Sequence, residues 1–283
     1  MKVLKIIIFT AMAAFGVFGI CCFLYPTVSN QINESYNEST INEYNHNVNT
    51  SSKTVIQAAF KRAEQYNEVI AADYFSEEIS DYETVLNDYY NILNVDNGIM
   101  GTIEIPSIHV RLPVYHGESE DVLKKGAAHL EQTSFPIGGM NTRSCISAHS
   151  GFPSQKFFDD IDELVAGDDI IVTVYDRKLT YKVCGKEVIE PDDNAKLRVE
   201  KGRELLTLIT CYPYGINSHR LLVNAERTYI AEAPATADEV VTHDSAKRSP
   251  VIPLICAVSA CAVLFVAIRL VYRVRKKNAQ KRK

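Results

Sequence analysis

Three side chains, far apart along the chain, have the types that acyl transfer through sulfur requires. Cys211 ends the β-prone run Leu205-Leu-Thr-Leu-Ile-Thr-Cys211, and Arg220 follows a turn marked by Pro213 and Gly215. His149 ends a second such run, Ser144-Cys-Ile-Ser-Ala-His149, just before a Gly-Phe-Pro turn. The attacking form of cysteine is the thiolate, which forms where positive charge or a base favours ionisation. Arg220 is a permanent cation with a fork of donors suited to an oxyanion, and a histidine is the usual general acid and base. The bland alternative for Cys211 alone is a small buried hydrophobe.

The elements that must position these groups are strands. Apolar runs that stop at a reactive residue and a turn place that residue where a buried strand reaches the surface. From Gly101 onward the pattern is all β: Thr102–Pro106, Val110–Tyr115, Ala127–Leu130, Arg143–Ala148, Asp169–Tyr175, Leu179–Glu187, the Cys211 strand, and 220–226. Eight short strands in about 125 residues suggest a closed barrel or a sandwich. Phe157, Phe158, Ile161 and Leu164 recur at helical spacing and predict a crossover helix over 157–165. His116, His129 and His219 are expected to be structural. Glu131, Asp159 and Asp160 are expected to be solvated charges.

Upstream, Ile56, Ala59, Phe60, Ala63, Tyr66 and Ile70, then Tyr82, Val85, Leu86, Tyr89 and Leu93, predict two amphipathic helices in an arm spanning 53–97. Residues 26–52 are rich in Asn, Ser and Glu and read as a disordered tether. Ile6–Tyr25 is twenty residues without a charge, and Val251–Ile268 is a second uncharged run. Each is long enough to cross a hydrocarbon core of about 30 Å. The expected order is an N-terminal membrane anchor (1–25), the tether, the arm, a β domain (98–230), a linker (231–249), a second transmembrane helix (250–272) and a basic tail (273–283). No Lys or Arg lies between the first run and Lys53, whereas 273–283 is densely basic, so both termini are expected in the cytoplasm and the middle outside.

Residues 26–248 carry 20 basic against 35 acidic residues, a formal charge of −15. That surface repels nucleic acid. Of seven cysteines, Cys145, Cys184 and Cys211 fall outside the apolar ends. No Cys or His spacing supports a metal site, and nothing calls for a cofactor. Cys145 and Cys184 are expected as two buried thiols, with a bridge between them as the alternative.

Thr207-Leu-Ile-Thr-Cys211 resembles the Thr-Leu-x-Thr-Cys signature of sortases, the membrane-tethered transpeptidases of Gram-positive bacteria. Tyr214–Val223, Ser147-Ala-His149, Ile105-Pro106, Leu112–Gly117, His129-Leu-Glu131 and Phe135–Gly139 extend the resemblance over residues 98–228. The combination is most similar to the class C, pilin-polymerising members. The resemblance implies a mainly β fold, an eight-stranded barrel carrying Cys211 as nucleophile, His149 as acid/base and Arg220 at the oxyanion, with Thr210 assisting there. It implies cleavage of a Leu-Pro-x-Thr-Gly-like sorting signal on a surface protein and transfer to a lysine amine of a pilin subunit. A peptidoglycan amine is the alternative acceptor, and a tethered binding module the alternative outside enzymes. It also implies a lid in which Asp73 and Phe75 of Asp73-Tyr74-Phe75 cover the groove. Tyr74 stands where the family has proline, which removes the fixed φ of such a turn. Gln132 and Ser150 are further departures, standing where glycine and arginine are common.

Overall fold

The computed structural model describes residues 2–75, 82–95, 97–152 and 154–229. The linker, second apolar run and basic tail expected after residue 230 lie outside the described residues. Helix α1 (Lys2–Thr50) holds the expected N-terminal apolar stretch, which is long and apolar enough to cross a membrane by length and composition.

The helix does not stop where the tether was expected. Asn37, Ile41, Tyr44 and Val48, spaced by four, three and four, are buried and form one stripe. Buried Tyr44 shows what holds it: its hydroxyl donates to the Met100 carbonyl (3.0 Å) and accepts from the Tyr175 N–H (2.8 Å). Three apolar residues among many Asn and Ser give a weak helical pattern, and tertiary packing overrides that composition.

Helix α2 (Lys53–Phe75) buries Phe60, Ala63, Tyr66 and Ile70, as its spacing predicts, and Val69 as well, while Ile56 and Ala59 are half-buried. Its Asn67 is also buried and clamps Phe135 from both sides, donating to its carbonyl (3.0 Å) and accepting from its N–H (2.7 Å). The second expected helix is the short α3 (Tyr82–Asn87), followed by a single 3-10 turn at Tyr89–Asn91.

The barrel follows: β1 (Ile99–Ile105), β2 (Val110–His116), helix α4 (Glu120–Leu123), β3 (Ala127–His129), β4 (Thr142–Ser147), β5 (Asp169–Val174), β6 (Arg177–Ile189), β7 (Glu204–Tyr212) and β8 (His219–Arg227). The order around the barrel is β1-β2-β3-β4-β7-β8-β6-β5, closed back onto β1. Only β2–β3 and β4–β7 pair in parallel. The mainly β class and eight expected strands are therefore present, as a barrel rather than a sandwich. Burial alternates along β5 and over most of β6, the signature of one face in the core and one in solvent.

Two polar networks are sealed into this wall. Arg143 on β4 donates from Nη1 to Thr207 Oγ1 (2.9 Å) and Asn224 Oδ1 (3.0 Å), from Nε to the Arg198 carbonyl (2.7 Å) and from Nη2 to Glu200 (2.5 Å). Glu204 on β7 accepts from the Tyr181 and Tyr229 hydroxyls (3.1 and 2.7 Å) and the Gly139 N–H, and pairs with Arg227. Both charged groups are buried, and each is surrounded by partners, as an interior charge requires.

The 157–165 crossover helix is absent. Phe157, Phe158, Ile161 and Leu164 are buried as their spacing suggests, but only a 3-10 turn at Ile161–Glu163 forms. The local N–H groups are taken elsewhere: Phe157 by the Asp159 carboxylate and Phe158 by the His149 carbonyl. Of the two thiols expected to be buried, Cys145 is and Cys184 is not; both are free. A register irregularity between Val183 and Gly185 leaves Cys184 opposite no β8 residue, and alternation turns it outward.

His116 and His129 are buried and structural. His129 Nε2 reaches the Ser134 carbonyl (2.9 Å) and Nδ1 the Tyr89 hydroxyl (3.0 Å), while His116 lies between the carbonyls of Gly98 and Ile92.

Two tests follow from this packing. Tyr44→Phe leaves the Tyr175 N–H and Met100 carbonyl unpaired and should cost about 1–3 kcal/mol in denaturant unfolding; an unchanged midpoint would contradict the packing of α1. Burial holds the His129 imidazole down to about 3, whereas an unfolded histidine protonates near 6.5. The unfolded chain then binds the extra proton between those values, so this contribution to stability is complete above about pH 6.5 and fades as pH falls toward 3. The His129 ring resonances should stay flat in an NMR titration from pH 8 to 5.

Candidate active site

Strand pairing brings the three chemical groups to one end of the barrel wall. Cys211 and Arg220 are register partners across the antiparallel β7–β8 pair, which places their Cα atoms about 4.5–5.5 Å apart. β4 runs parallel to β7 on the other side, with Ser147 beside Ile209. The pairing continues past the end of β4, where the Ala148 N–H donates to the Ile209 carbonyl (3.1 Å). His149 is thus delivered next to the strand end that carries Cys211. Ser150 adds a second tie, its hydroxyl donating to the Cys211 carbonyl (2.8 Å).

Thr210 lies between these segments. Its hydroxyl has one proton and donates it to the Ala148 carbonyl (2.8 Å), from a buried position. The side chain therefore straps β7 to the residue before His149 instead of presenting a free donor to an oxyanion.

The imidazole of His149 lies flat against Phe152, with centroids 5.3 Å apart and planes 7° from parallel. Phe157 approaches at 60° and 6.4 Å. The turn after Cys211 touches the same loop. Gly151 has φ +73°, and a Cβ there would meet the Tyr214 ring at 3.3 Å, so only glycine fits without strain. Arg220 Nη1 donates to the carbonyls of His219 (3.0 Å) and Asn217 (3.4 Å), and no acid pairs with its guanidinium among the described residues. His219, the next residue, points the other way and meets Glu190 at 3.3 Å, as strand alternation requires.

Two of the three β-domain thiols, Cys145 and Cys211, now separate. Burial pushes the Cys145 thiol up to about 12, which leaves it inert, whereas Cys211 is half-exposed at the barrel end.

A sortase-domain family model matches residues 103–228. Sortase C from Clostridium perfringens, in a structure with the C-terminal cell wall sorting motif, is 40% identical with a TM-score of 0.59, covering 68% of this chain and 99% of that one. The chain belongs to the sortase family. Its structural neighbours are class C enzymes; sortase C1 from Streptococcus agalactiae matches at 38% identity and TM-score 0.61, covering 67% of this chain and 98% of its own. Among curated relatives, sortase D of Bacillus subtilis is 28% identical over 130 residues, 46% of this chain. This sortase spans 60% of the length of that relative. Sortases are cysteine transpeptidases, so the family and the enzyme class expected from the motifs both hold.

The pair expected to form a lid is placed elsewhere. Asp73 is exposed and lies near Tyr82, whose hydroxyl burial and this carboxylate together hold above the ordinary phenol range. Phe75 lines a cleft of about 500 Å³ between α2 and Gly138–Thr142. Tyr74, between them, enters a separate cleft of about 320 Å³ lined also by Glu118, Leu130, Glu131, Gln132, Thr133, Asn194 and Leu197. Glu118 lies within electrostatic reach of Arg220, and burial raises its carboxyl above the usual range while that cation pulls it back. No sequence signal marks Tyr74 over Phe75, because both are aromatic and the proline that would set the turn is missing.

Replacing Thr210 with valine keeps the shape and removes the donor. Thr210→Val should cost about 1–3 kcal/mol in denaturant unfolding by orphaning the Ala148 carbonyl, and Thr210→Ser should recover most of it.

Proposed function

We propose that this sortase is a membrane-anchored transpeptidase that cleaves a Leu-Pro-x-Thr-Gly-like sorting signal between Thr and Gly. It then joins the threonyl carbonyl to a lysine amine of a pilin subunit. The observation that carries the reading is the convergence of Cys211, Arg220 and the His149 segment on adjacent strand ends. The class C neighbours support the pilin acceptor, and the apolar start of α1 supports the anchor. In this reading both termini lie in the cytoplasm and the barrel outside, with residues 250–272 as a second span.

The chemistry runs in two halves. The Cys211 thiolate attacks the threonyl carbonyl carbon, and the electron pair of that carbonyl moves to oxygen, where Arg220 meets the developing negative charge. His149, as imidazolium, gives its proton to the glycine nitrogen, the carbon–nitrogen bond breaks, and a thioacyl enzyme remains. A lysine amine then attacks the thioester carbonyl, His149 takes the amine's proton, and the Cys211 thiolate leaves. Thr210 serves this site through the Ala148 strap that holds the histidine segment.

Tethering the enzyme to the surface through which its substrates emerge makes the encounter effectively intramolecular. The acidic exterior of the middle region also disfavours nucleic-acid partners.

Mass spectrometry of the chain after incubation with a Leu-Pro-x-Thr-Gly peptide tests the reading. An acyl adduct on Cys211 is expected, absent in Cys211→Ala and slowed by ~100–1000-fold in Arg220→Ala. Near-normal acylation by Arg220→Ala would remove the guanidinium from the oxyanion. With a lysine-bearing pilin as acceptor, high-molecular-weight ladders are expected; single adducts with wall-peptide amines alone would reassign the acceptor to peptidoglycan.

A further inference from the structure

His149 has a second set of constraints that the strand ends do not supply. Its Nε2 is buried without a hydrogen-bond partner, and its ring lies parallel to Phe152 in an offset stack. The backbone around it is held by one carboxylate. Asp159 Oδ1 accepts from the Gly151 N–H and Oδ2 from the Phe157 N–H, both at 2.9 Å. These two amides are six positions apart, so one side chain gathers both flanks of the Phe152–Phe157 pair. The rings of that pair then meet at 5.8 Å and 62°, with the imidazole beside both. The Phe158 N–H donation to the His149 carbonyl (2.9 Å) closes the circuit back to the histidine's own backbone.

We propose that Asp159 is a positioning residue for His149, fixing the plane of the imidazole through Phe152. The proposal rests on the transpeptidase reading, in which His149 must hand a proton to a departing amine. Proton transfer depends steeply on direction, and an imidazole free to turn about its side-chain bonds presents its nitrogen correctly only part of the time. Flat contact with Phe152 removes that freedom, and a fixed backbone at Gly151 and Phe157 is what keeps Phe152 flat. The carboxyl group offers a separate acceptor oxygen to each of the two N–H groups; an amide at this position would turn its NH2 toward one of them. The neighbouring Asp160 does a different job, pairing with Lys156.

A positioning role predicts a loss confined to the proton-transfer step. The test compares two substrates on the full chain in detergent: a Leu-Pro-x-Thr-Gly peptide, whose amine must be protonated to leave, and an aryl thioester of the same Leu-Pro-x-Thr acyl group. The thiophenolate of the thioester departs without a proton. Asp159→Ala should lower kcat on the peptide by roughly 10–100-fold with KM nearly unchanged, while acylation by the thioester stays within about threefold of the parent. Phe152→Leu should reproduce that split without touching the carboxylate, and Phe152→Tyr, which keeps the flat ring, should restore peptide turnover. Equal losses on both substrates, or peptide turnover unaffected in both Asp159→Ala and Phe152→Leu, would overturn the proposal. A parent enzyme that forms no acyl adduct with either substrate overturns the transpeptidase reading itself, and the positioning role with it.

Discussion

A single buried guanidinium sets the register on which the active site depends. Arg143 joins β4 to Thr207 on β7 and Asn224 on β8, and Asn224 passes the chain of contacts to Glu187 on β6. These are the strands that end at His149, Cys211 and Arg220. A slip of one residue between any two of them would turn every side chain to the opposite face. Apolar packing alone resists such a slip weakly, because neighbouring Leu, Ile and Val differ little in volume. A charge sealed in the wall resists it strongly, since misalignment strands the guanidinium without its acceptors.

Given that register, the site is assembled by short-range ties between strand ends. The Cys211–Arg220 pair comes directly from the β7–β8 ladder. The histidine segment is brought in by three separate bonds: Ala148 N–H to Ile209, Thr210 to Ala148, and Ser150 to Cys211. Each tie uses a residue adjacent to a reactive one and leaves the reactive side chain itself free for chemistry. The contrast with Cys145 shows why the address matters. A thiol in mid-strand inside the wall is held protonated by desolvation, while Cys211 stands half-exposed at the end of its strand, opposite Arg220 in the ladder.

The parts legible in the sequence were those governed by local pattern. Alternation and turn residues located all eight strands, and the residues at their ends were recognisable because Cys, His and Arg are conspicuous after apolar runs. The parts that escaped are governed by partners remote in the chain. The helical course of 33–50 depends on Met100 and Tyr175 accepting Tyr44 into a pocket built by the barrel. The helix expected over 157–165 gives way because Asp159 and the His149 carbonyl take its amides. Cys184 stands opposite no β8 residue at a register irregularity, and Tyr74, not Phe75, lines the cleft beside Glu118. Asp159 looks in the sequence like any surface carboxylate, and only the two amides folded around it reveal its use.

The barrel's closure carries one further consequence. Because β1 pairs with both β2 and β5, the strand order closes and no strand lies at the outer edge of an open sheet. An extended peptide arriving at the wall has no whole edge strand to join, so it gains little from β-augmentation, which accepts many sequences through main-chain contacts. Discrimination then falls to the shapes and charges of side chains lining a cleft, which reward particular residues at particular positions. A closed wall thereby suits an enzyme that must ignore the many unfolded polypeptides passing it and stop only for a short, defined motif.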